Sequence, residues 1–379
     1  MYFKGIKNIL IIKLRHIGDV LLALPTIRAV RERFPDAYIA VFINKGTEDI
    51  LTRNPLIDDI FVYDRELKSL PLLKKMRGET NLMRSIRKKG FDMVIDLTGG
   101  DRPAILSFLC GAKHRIARDP CGKGFWGKKY LYTRLIKPSD NMMHSVMKDM
   151  EIVRELGMDT DNRKIEIEIG EKEDSYVEGL LKEKGLEHGE PFVHIHPTSR
   201  WFFKCWSMKN MASIIDYIEE SGIRVVMTSS PDGREIEKIR DIERLTISFP
   251  VNIAGRLSLK GLAAVSKRAM LFFGVDSAPM HIAAAMGTPV IALFGPTGAF
   301  NWGPWNNYSR TGFYAATPYP GRNGIQKSGM HTVIQREWDC IPCGRDGCNG
   351  SKKSRCLEDI TPDEVIEVIR LESEMILTE

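Results

Sequence analysis

Long apolar runs are missing from this 379-residue chain. No stretch approaches the roughly 20 residues needed to cross a bilayer. The first apolar segment, Asn8 to Leu14, is too short for a secretory core and no cleavage site follows it, so a cytoplasmic protein is expected. Cysteine is scarce too: seven residues, unevenly placed, exclude a secreted disulfide scaffold. Four of them, Cys340, Cys343, Cys348 and Cys356, have spacing able to wrap a structural zinc, but it departs from paired C-x2-C knuckles. Reduced packing or surface thiols are the preferred reading, and no metal is assigned. No G-x-G-x-x-G follows the first strand, only Gly18, which argues against a dinucleotide oxidoreductase. No D-x-D pair stands at a convincing strand end; Asp58-Asp59 and Asp159-Thr160-Asp161 read as turns. A near phosphate loop, Gly122-Lys123-Gly124-Phe125-Trp126-Gly127-Lys128-Lys129, has Lys129 where a magnesium-binding hydroxyl is needed and no strand before it. Its aromatics amid lysines, with Tyr130, fit an interfacial or acceptor-side loop.

What is present is the composition of a soluble globular protein, 43% hydrophobic and 27% charged, long enough for two domains. Short β-rich runs alternate with helical ones, the pattern of parallel sheets with crossover helices. The first half reads as strands near Asn8–Leu14, Ala37–Ile43, Asp59–Tyr63, Phe91–Leu97 and Arg115–Ala117, with another at Arg134–Lys137. Helices are expected over Val20–Phe34, Leu70–Lys89 and His144–Leu156. A polar stretch from Asp159 to Asp174 marks the junction. Strands at Phe192–Ile195, Val225–Thr228, Ala269–Phe273 and Val290–Phe294 repeat the scheme, and residues 296–329 read as a long loop. Net charge is +6 but lopsided: residues 1–150 carry 28 Lys and Arg against 16 Asp and Glu. Solvated helix faces explain any single one of these cations. A whole basic half suggests an anionic acceptor or membrane surface; nucleic acid is not favoured, because no motif for it accompanies the charge.

Three strand-end blocks carry the chemistry. Gly274-Val275-Asp276-Ser277-Ala278-Pro279-Met280-His281 follows an apolar run and opens a helix. Backbone N–H groups of Ser277, Ala278 and Met280 at a helix mouth suit phosphate, while the Asp276 carboxylate suits sugar hydroxyls. Such a block points to a nucleotide-sugar site. His281 in the first turn is either a phosphate contact or a buried structural histidine. His196-Pro197-Thr198-Ser199-Arg200, with Lys204 and Trp206, follows another strand. Arg200 and Lys204 suit a departing diphosphate, because fixed cations lower the energy of a transition state in which that charge grows. Asp232 and Glu235 lie where a ribose could be met, without a role fixed by spacing. At the other end of the chain, Arg15-His16-Ile17-Gly18-Asp19 follows the first strand. Asp19 has the character of a general base, though capping the following helix is the commoner job for an Asp there. His16 is a base, an acceptor contact, or an exposed loop histidine without a role.

Together the blocks resemble glycosyltransferase family 9, the ADP-heptose:lipopolysaccharide heptosyltransferases. The wording His-Pro-Thr-Ser-Arg-Trp-x-x-Lys-x-Trp from His196 to Trp206 is most similar to the heptosyltransferase III branch. The resemblance implies a GT-B fold, two Rossmann-like doubly wound α/β domains facing a cleft. Residues 1–170 would bind the acceptor, residues 171–358 the nucleotide sugar, and the last helix (Pro362 to Leu377) would pack back on the first domain. It implies an inverting transferase that needs no metal or cofactor, with ADP-heptose as donor and lipopolysaccharide inner core as acceptor, and with peripheral contact at the inner membrane. By the same resemblance Asp19 is the base, Gly18 and His16 lie on the acceptor side, and Lys204 assists departure. Thr198, Ser199, Arg200, Lys204, Leu257, Asp276, Ser277, Ala278, Met280 and His281 hold the donor. The alternatives are another nucleotide sugar or acceptor on the same fold, or a catalytically silent binding module; intact Asp19, Lys204 and Asp276 speak against the latter.

Overall fold

A computed structural model describes residues 3–69, 71–139, 142–308 and 317–376. Leu70 and Leu377, which bound two expected helices, and residues 309–316 of the expected long loop lie outside the described residues. The chain divides into two compact units, Met1–Glu168 and Ile169–Glu379. The division falls inside the polar stretch after Asp159.

Unit 1 holds the strands β1 (Asn8–Lys13), β2 (Tyr38–Asn44), β3 (Asp59–Tyr63), β4 (Met93–Asp96), β5 (His114–Arg118) and β6 (Arg134–Ile136). They form a parallel sheet of order β3-β2-β1-β4-β5-β6. The central strand β1 is buried on both faces, which is why it reads as an unbroken run, Ile9 to Ile12, rather than an alternation. Sheet order reverses between β1 and β4, so their carboxyl ends open a crevice of the kind that binds ligands in doubly wound folds. The expected helix Val20–Phe34 is two, Ile17–Leu21 and Leu24–Arg33. Pro25 explains the break, since its ring is tolerated in a first turn but not in a helix interior.

Unit 2 repeats the topology with β7 (Phe192–His196), β8 (Arg224–Met227), β9 (Val251–Asn252), β10 (Leu271–Val275), β11 (Val290–Leu293), β12 (Gln326–Ser328) and β13 (His331–Ile334). The order is β12-β13-β11-β10-β7-β8-β9, parallel except for the β12–β13 pair. Side chains alternate between two cores. Phe273 joins Val193, Ile195 and the stripe Met211, Ile214, Ile215 and Ile218 of helix Met208–Glu220. Phe272 faces the other way, onto Met280, Ala283 and Ala284. The stretch read as one loop contains a short helix, Ala299–Trp302, and β12. In the last helix, Pro362–Ile376, the apolar residues Val365 and Ile369 join the unit 2 core beside helix Met208–Glu220. Polar contacts hold it there too, because Glu372 accepts from Thr332 Oγ1 and Lys327 Nζ, both at 2.8 Å.

The switch point of unit 2 lies between β7 and β10, and Gly274 lets those strands approach. A Cβ at Gly274 would sit 2.8 Å from the His196 carbonyl oxygen and 2.9 Å from the Phe272 ring. Neither backbone nor a packed ring yields cheaply, so Gly274→Ala should destabilise the protein by about 1–3 kcal/mol. Chemical denaturation would show this as a lowered midpoint; an unchanged midpoint would mean that the strands are free to separate.

Candidate active site

Unit 2 assembles its polar groups at the carboxyl ends of β7 and β10. After β7 the chain turns through Thr198 and Ser199, both buried, to the exposed Arg200 and the single 3-10 turn Phe202–Lys204. Lys204 Nζ reaches Asp276 Oδ2 at 2.6 Å, with the two side chains 18% and 6% exposed. Thr297, in the turn after β11, donates its hydroxyl to the same carboxylate oxygen. Gln335 steadies that turn from the end of β13, its Nε2 donating to Gly295 O at 2.8 Å and Thr297 O at 2.7 Å. Lysine, aspartate and threonine from three strand ends thus meet on one oxygen, a compact dipolar floor for a ligand bearing both anionic and hydroxyl groups.

Ser277 caps helix Ala278–Ala285 with extended backbone, and its Oγ is buried without a hydrogen-bond partner among the described residues. Of the amides expected to meet phosphate, Met280 N already donates to Ser277 O at 3.2 Å. His281 is buried at 5% exposure. Thr198 donates to Glu235 at 2.7 Å, and Ser199 Oγ accepts from Trp201 N at 3.2 Å, so both hydroxyls also shape the turn. Arg200 lies over the Trp201 ring, 5.5 Å from its centroid. Leu257 is half-buried against the Val251, Ile253 and Val265 cluster. Asp232 caps helix Gly233–Glu243 through the Arg234 amide at 2.9 Å.

In unit 1, Gly18 is buried and Asp19 half-buried in the first turn of Ile17–Leu21, after the exposed His16. Asp19 Oδ2 accepts from His16 N at 3.3 Å, so the carboxylate does cap the helix. A cap that reaches solvent can still act on a ligand, and the two jobs do not conflict. Beneath this turn lies an ion pair absent from the sequence reading: Lys13 Nζ and Asp149 Oδ2, 2.5 Å apart and almost wholly buried. Burial holds the Asp149 carboxyl above its ordinary range, Lys13 opposes that shift, and the charge of Asp19 adds to it. At the β4 end Asp96 is buried and accepts from Tyr132 Oη at 2.5 Å and from the amides of Thr98 and Gly99. Lys128 of the near phosphate loop is tied down, donating to Gly99 O at 2.7 Å. Among the described residues no group of three or more His, Cys, Asp or Glu is placed to hold a metal ion, and all seven cysteines are unpaired.

The sequence profile of glycosyltransferase family 9 (heptosyltransferase) matches residues 80–320. Lipopolysaccharide heptosyltransferase 3 of Escherichia coli is 32% identical over 302 residues, covering 78% of this chain and 85% of that protein. The chain belongs to glycosyltransferase family 9. It is a glycosyltransferase, and its identity to heptosyltransferase 3 supports that branch of the family. A family 9 glycosyl transferase from Veillonella parvula DSM 2008 superposes with a TM-score of 0.78 at 22% identity, covering 98% of both chains. Escherichia coli heptosyltransferase WaaC with ADP gives 0.71 at 18% identity, covering 96% of this chain and 99% of that one. The family 9 chain therefore shares the GT-B fold, each unit being one Rossmann-like doubly wound half.

Burial governs the histidines of this family 9 enzyme. His196 and His331 are each pushed down to about 3, and His194 falls well below its ordinary value, with the charge of His196 adding to burial. Folded values below the unfolded one, near 6.5, mean that the neutral rings contribute fully above about pH 6.5. That contribution is lost as pH falls from there toward about 3. By about pH 5 His196 and His331 each cost on the order of 2 kcal/mol. Buried Asp96 and Asp149, whose carboxyls burial raises, work in the opposite direction. The clean readout is therefore a difference between proteins. Urea unfolding near pH 7 and pH 5 should show a smaller acid loss for His331→Gln than for the wild type; an equal loss would contradict the assignment.

Proposed function

We propose that this enzyme transfers heptose from ADP-L-glycero-D-manno-heptose to a hydroxyl of the lipopolysaccharide inner core, with inversion at C1 and without a metal. The observation that carries the reading is the Lys204–Asp276–Thr297 cluster beside the start of helix Ala278–Ala285. It offers a cation and a helix mouth to a diphosphate and a carboxylate to sugar hydroxyls. The relative named for heptose transfer supports the donor class.

In the proposed step Asp19 takes the proton of the acceptor hydroxyl as its oxygen attacks C1. The bond from C1 to the phosphate oxygen breaks, and its electron pair leaves with ADP. One displacement inverts the configuration. Negative charge grows on the diphosphate, where Arg200, Lys204 and the amides at Ser277 and Ala278 receive it, replacing the role a metal would take. Lys204 is compensated by Asp276 before the donor arrives, and the incoming phosphate competes for the same ammonium. Thr198, Ser199, Met280 and His281 shape the phosphate side, and Leu257 lies against the base. His16 and Gly18 border the acceptor beside Asp19.

Acceptor-dependent ADP release, measured in EDTA with ADP-heptose and a Kdo- or heptose-terminated core lipid, tests donor, acceptor and metal independence together. Asp19→Ala should lower that release by about 10²–10⁴-fold while retaining ADP binding. Transfer at the wild-type rate would remove Asp19 as the base, and no release by folded wild-type protein would remove the donor or the acceptor.

The same reading places the enzyme in the cytoplasm, in peripheral contact with the inner leaflet that holds its acceptor. No helix among the described residues is long and apolar enough to cross a membrane. Unit 1 instead exposes Trp126 at 95% and Leu73 at 83%, with Leu72 and Tyr130, among Lys74, Lys75, Lys123 and Lys129. Apolar anchors set among cations suit an anionic interface. Sedimentation with phosphatidylglycerol vesicles should fall several-fold for Trp126→Ala and with added salt; binding indifferent to both would refute the contact.

A further inference from the structure

Six buried polar residues in unit 2 form a continuous chain, of which the proposed transfer step uses Thr198 alone. Ser266 Oγ lies 3.0 Å from His194 Nδ1, and His194 Nε2 lies 2.7 Å from Thr228 Oγ1. Thr228 Oγ1 lies 2.8 Å from His196 Nδ1, and His196 Nε2 lies 3.4 Å from Thr198 Oγ1. Thr198 Oγ1 completes the chain on Glu235 Oε2 at 2.7 Å. None of the six is more than 5% exposed. They come from β7, the end of β8, helix Leu259–Arg268 and the first turn of helix Gly233–Glu243.

Counting protons gives this chain one direction. Thr198 has a single hydroxyl proton and donates it to Glu235, so its oxygen accepts from His196 Nε2–H. A neutral His196 then presents a bare Nδ1, which accepts the Thr228 proton. Thr228, its proton committed, accepts from His194 Nε2–H, and the bare Nδ1 of His194 accepts from Ser266. Burial keeps both rings neutral. A proton added to His196 would leave Thr228 facing two N–H donors, with its own hydrogen unplaced. Buried groups of this kind are costly when one is left unmatched, so the orientation is fixed collectively.

We propose that His196 and Thr228 are positioning residues for the donor, linked in a one-way buried hydrogen-bond chain that sets Thr198 and hence the turn carrying Ser199, Arg200 and Lys204. Thr228 sits behind that turn, two hydrogen bonds away from Thr198, so its effect on donor binding passes through His196. The inference rests on the donor reading above for its ligand, although the chain itself does not.

Ring-nitrogen NMR on histidine-labelled wild-type protein tests the chain without any ligand. Both His194 and His196 should appear as neutral Nε2–H tautomers from about pH 8 to about pH 5. An Nδ1–H tautomer or an imidazolium at either ring would overturn the direction. ADP calorimetry and steady-state kinetics then test positioning. Thr228→Val should weaken ADP and raise the donor KM about tenfold, and Thr228→Ser should restore both. Wild-type affinity in a folded Thr228→Val protein would overturn the proposal. Should that variant fail to fold, His196→Gln, which keeps a donor near the Nε2 position, is expected to bind ADP better than His196→Asn, which does not; equal binding would count against it. A wild-type protein that binds no ADP would sink the donor reading, while the tautomers would still decide the chain.

Discussion

The ion pair between Lys204 and Asp276 depends on the packing of strands β7 and β10, and the proposed donor site depends on it. Its partners leave adjacent parallel strands, β7 and β10, on opposite sides of the point where sheet order reverses. Gly274 permits the close spacing of those strands, and the two cores on either face of the sheet hold them in register. A pair this well shielded has surrendered much of its hydration and recovers the loss through mutual attraction and the added Thr297 hydrogen bond. Removing either charge would strand the other. A diphosphate can displace the carboxylate from the lysine only by offering an equal or better anion, which makes the pair a filter for ligand charge.

Unit 1 uses the same topology in another way. At its own switch point the buried charges, Lys13 with Asp149, satisfy each other beneath the surface, and Asp96 is saturated by Tyr132 and two backbone amides. Asp19 is the half-buried carboxylate of the turn and accepts from the His16 amide. A buried pair beneath that carboxylate costs stability compared with an apolar core but fixes the local field. The lopsided charge of the chain follows the same division. Lys and Arg outnumber Asp and Glu in residues 1–150, where an anionic acceptor is proposed to dock.

Legibility in the sequence followed burial. β1 was plain because Ile9 to Ile12 are buried on both faces, and the Gly274–His281 block was plain because a strand running into a polar helix start has few other uses. β13 was not: His331 and Thr332 interrupt its apolar pattern, and their burial is set by partners far along the chain. Gln335 gave no signal for the same reason, since its role exists only once β13 lies beside β11. Lys13 did leave a trace, a cation inside an apolar strand, but its partner Asp149 lies on a distant helix. Pro25 marks the break between the two helices, although the apolar run continues across it. The last helix carried an apolar stripe without an address; only packing decided that helix Met208–Glu220 covers it.

A site proposed to work without a metal must keep its cations from neutralising themselves too well. Here Lys204 is compensated, whereas exposed Arg200 rests on Trp201 and makes no ion pair among the described residues. Ser277 Oγ, buried and unpartnered among the described residues, stands at the mouth of helix Ala278–Ala285. A hydroxyl there can donate to a bound acceptor atom. The proposed site thus combines an ion pair, with which a phosphate would compete, and a hydroxyl that would donate to it. In that reading selectivity comes from the first and affinity from the second, and both stand at strand ends, so little reorganisation is needed when charge develops on the leaving group.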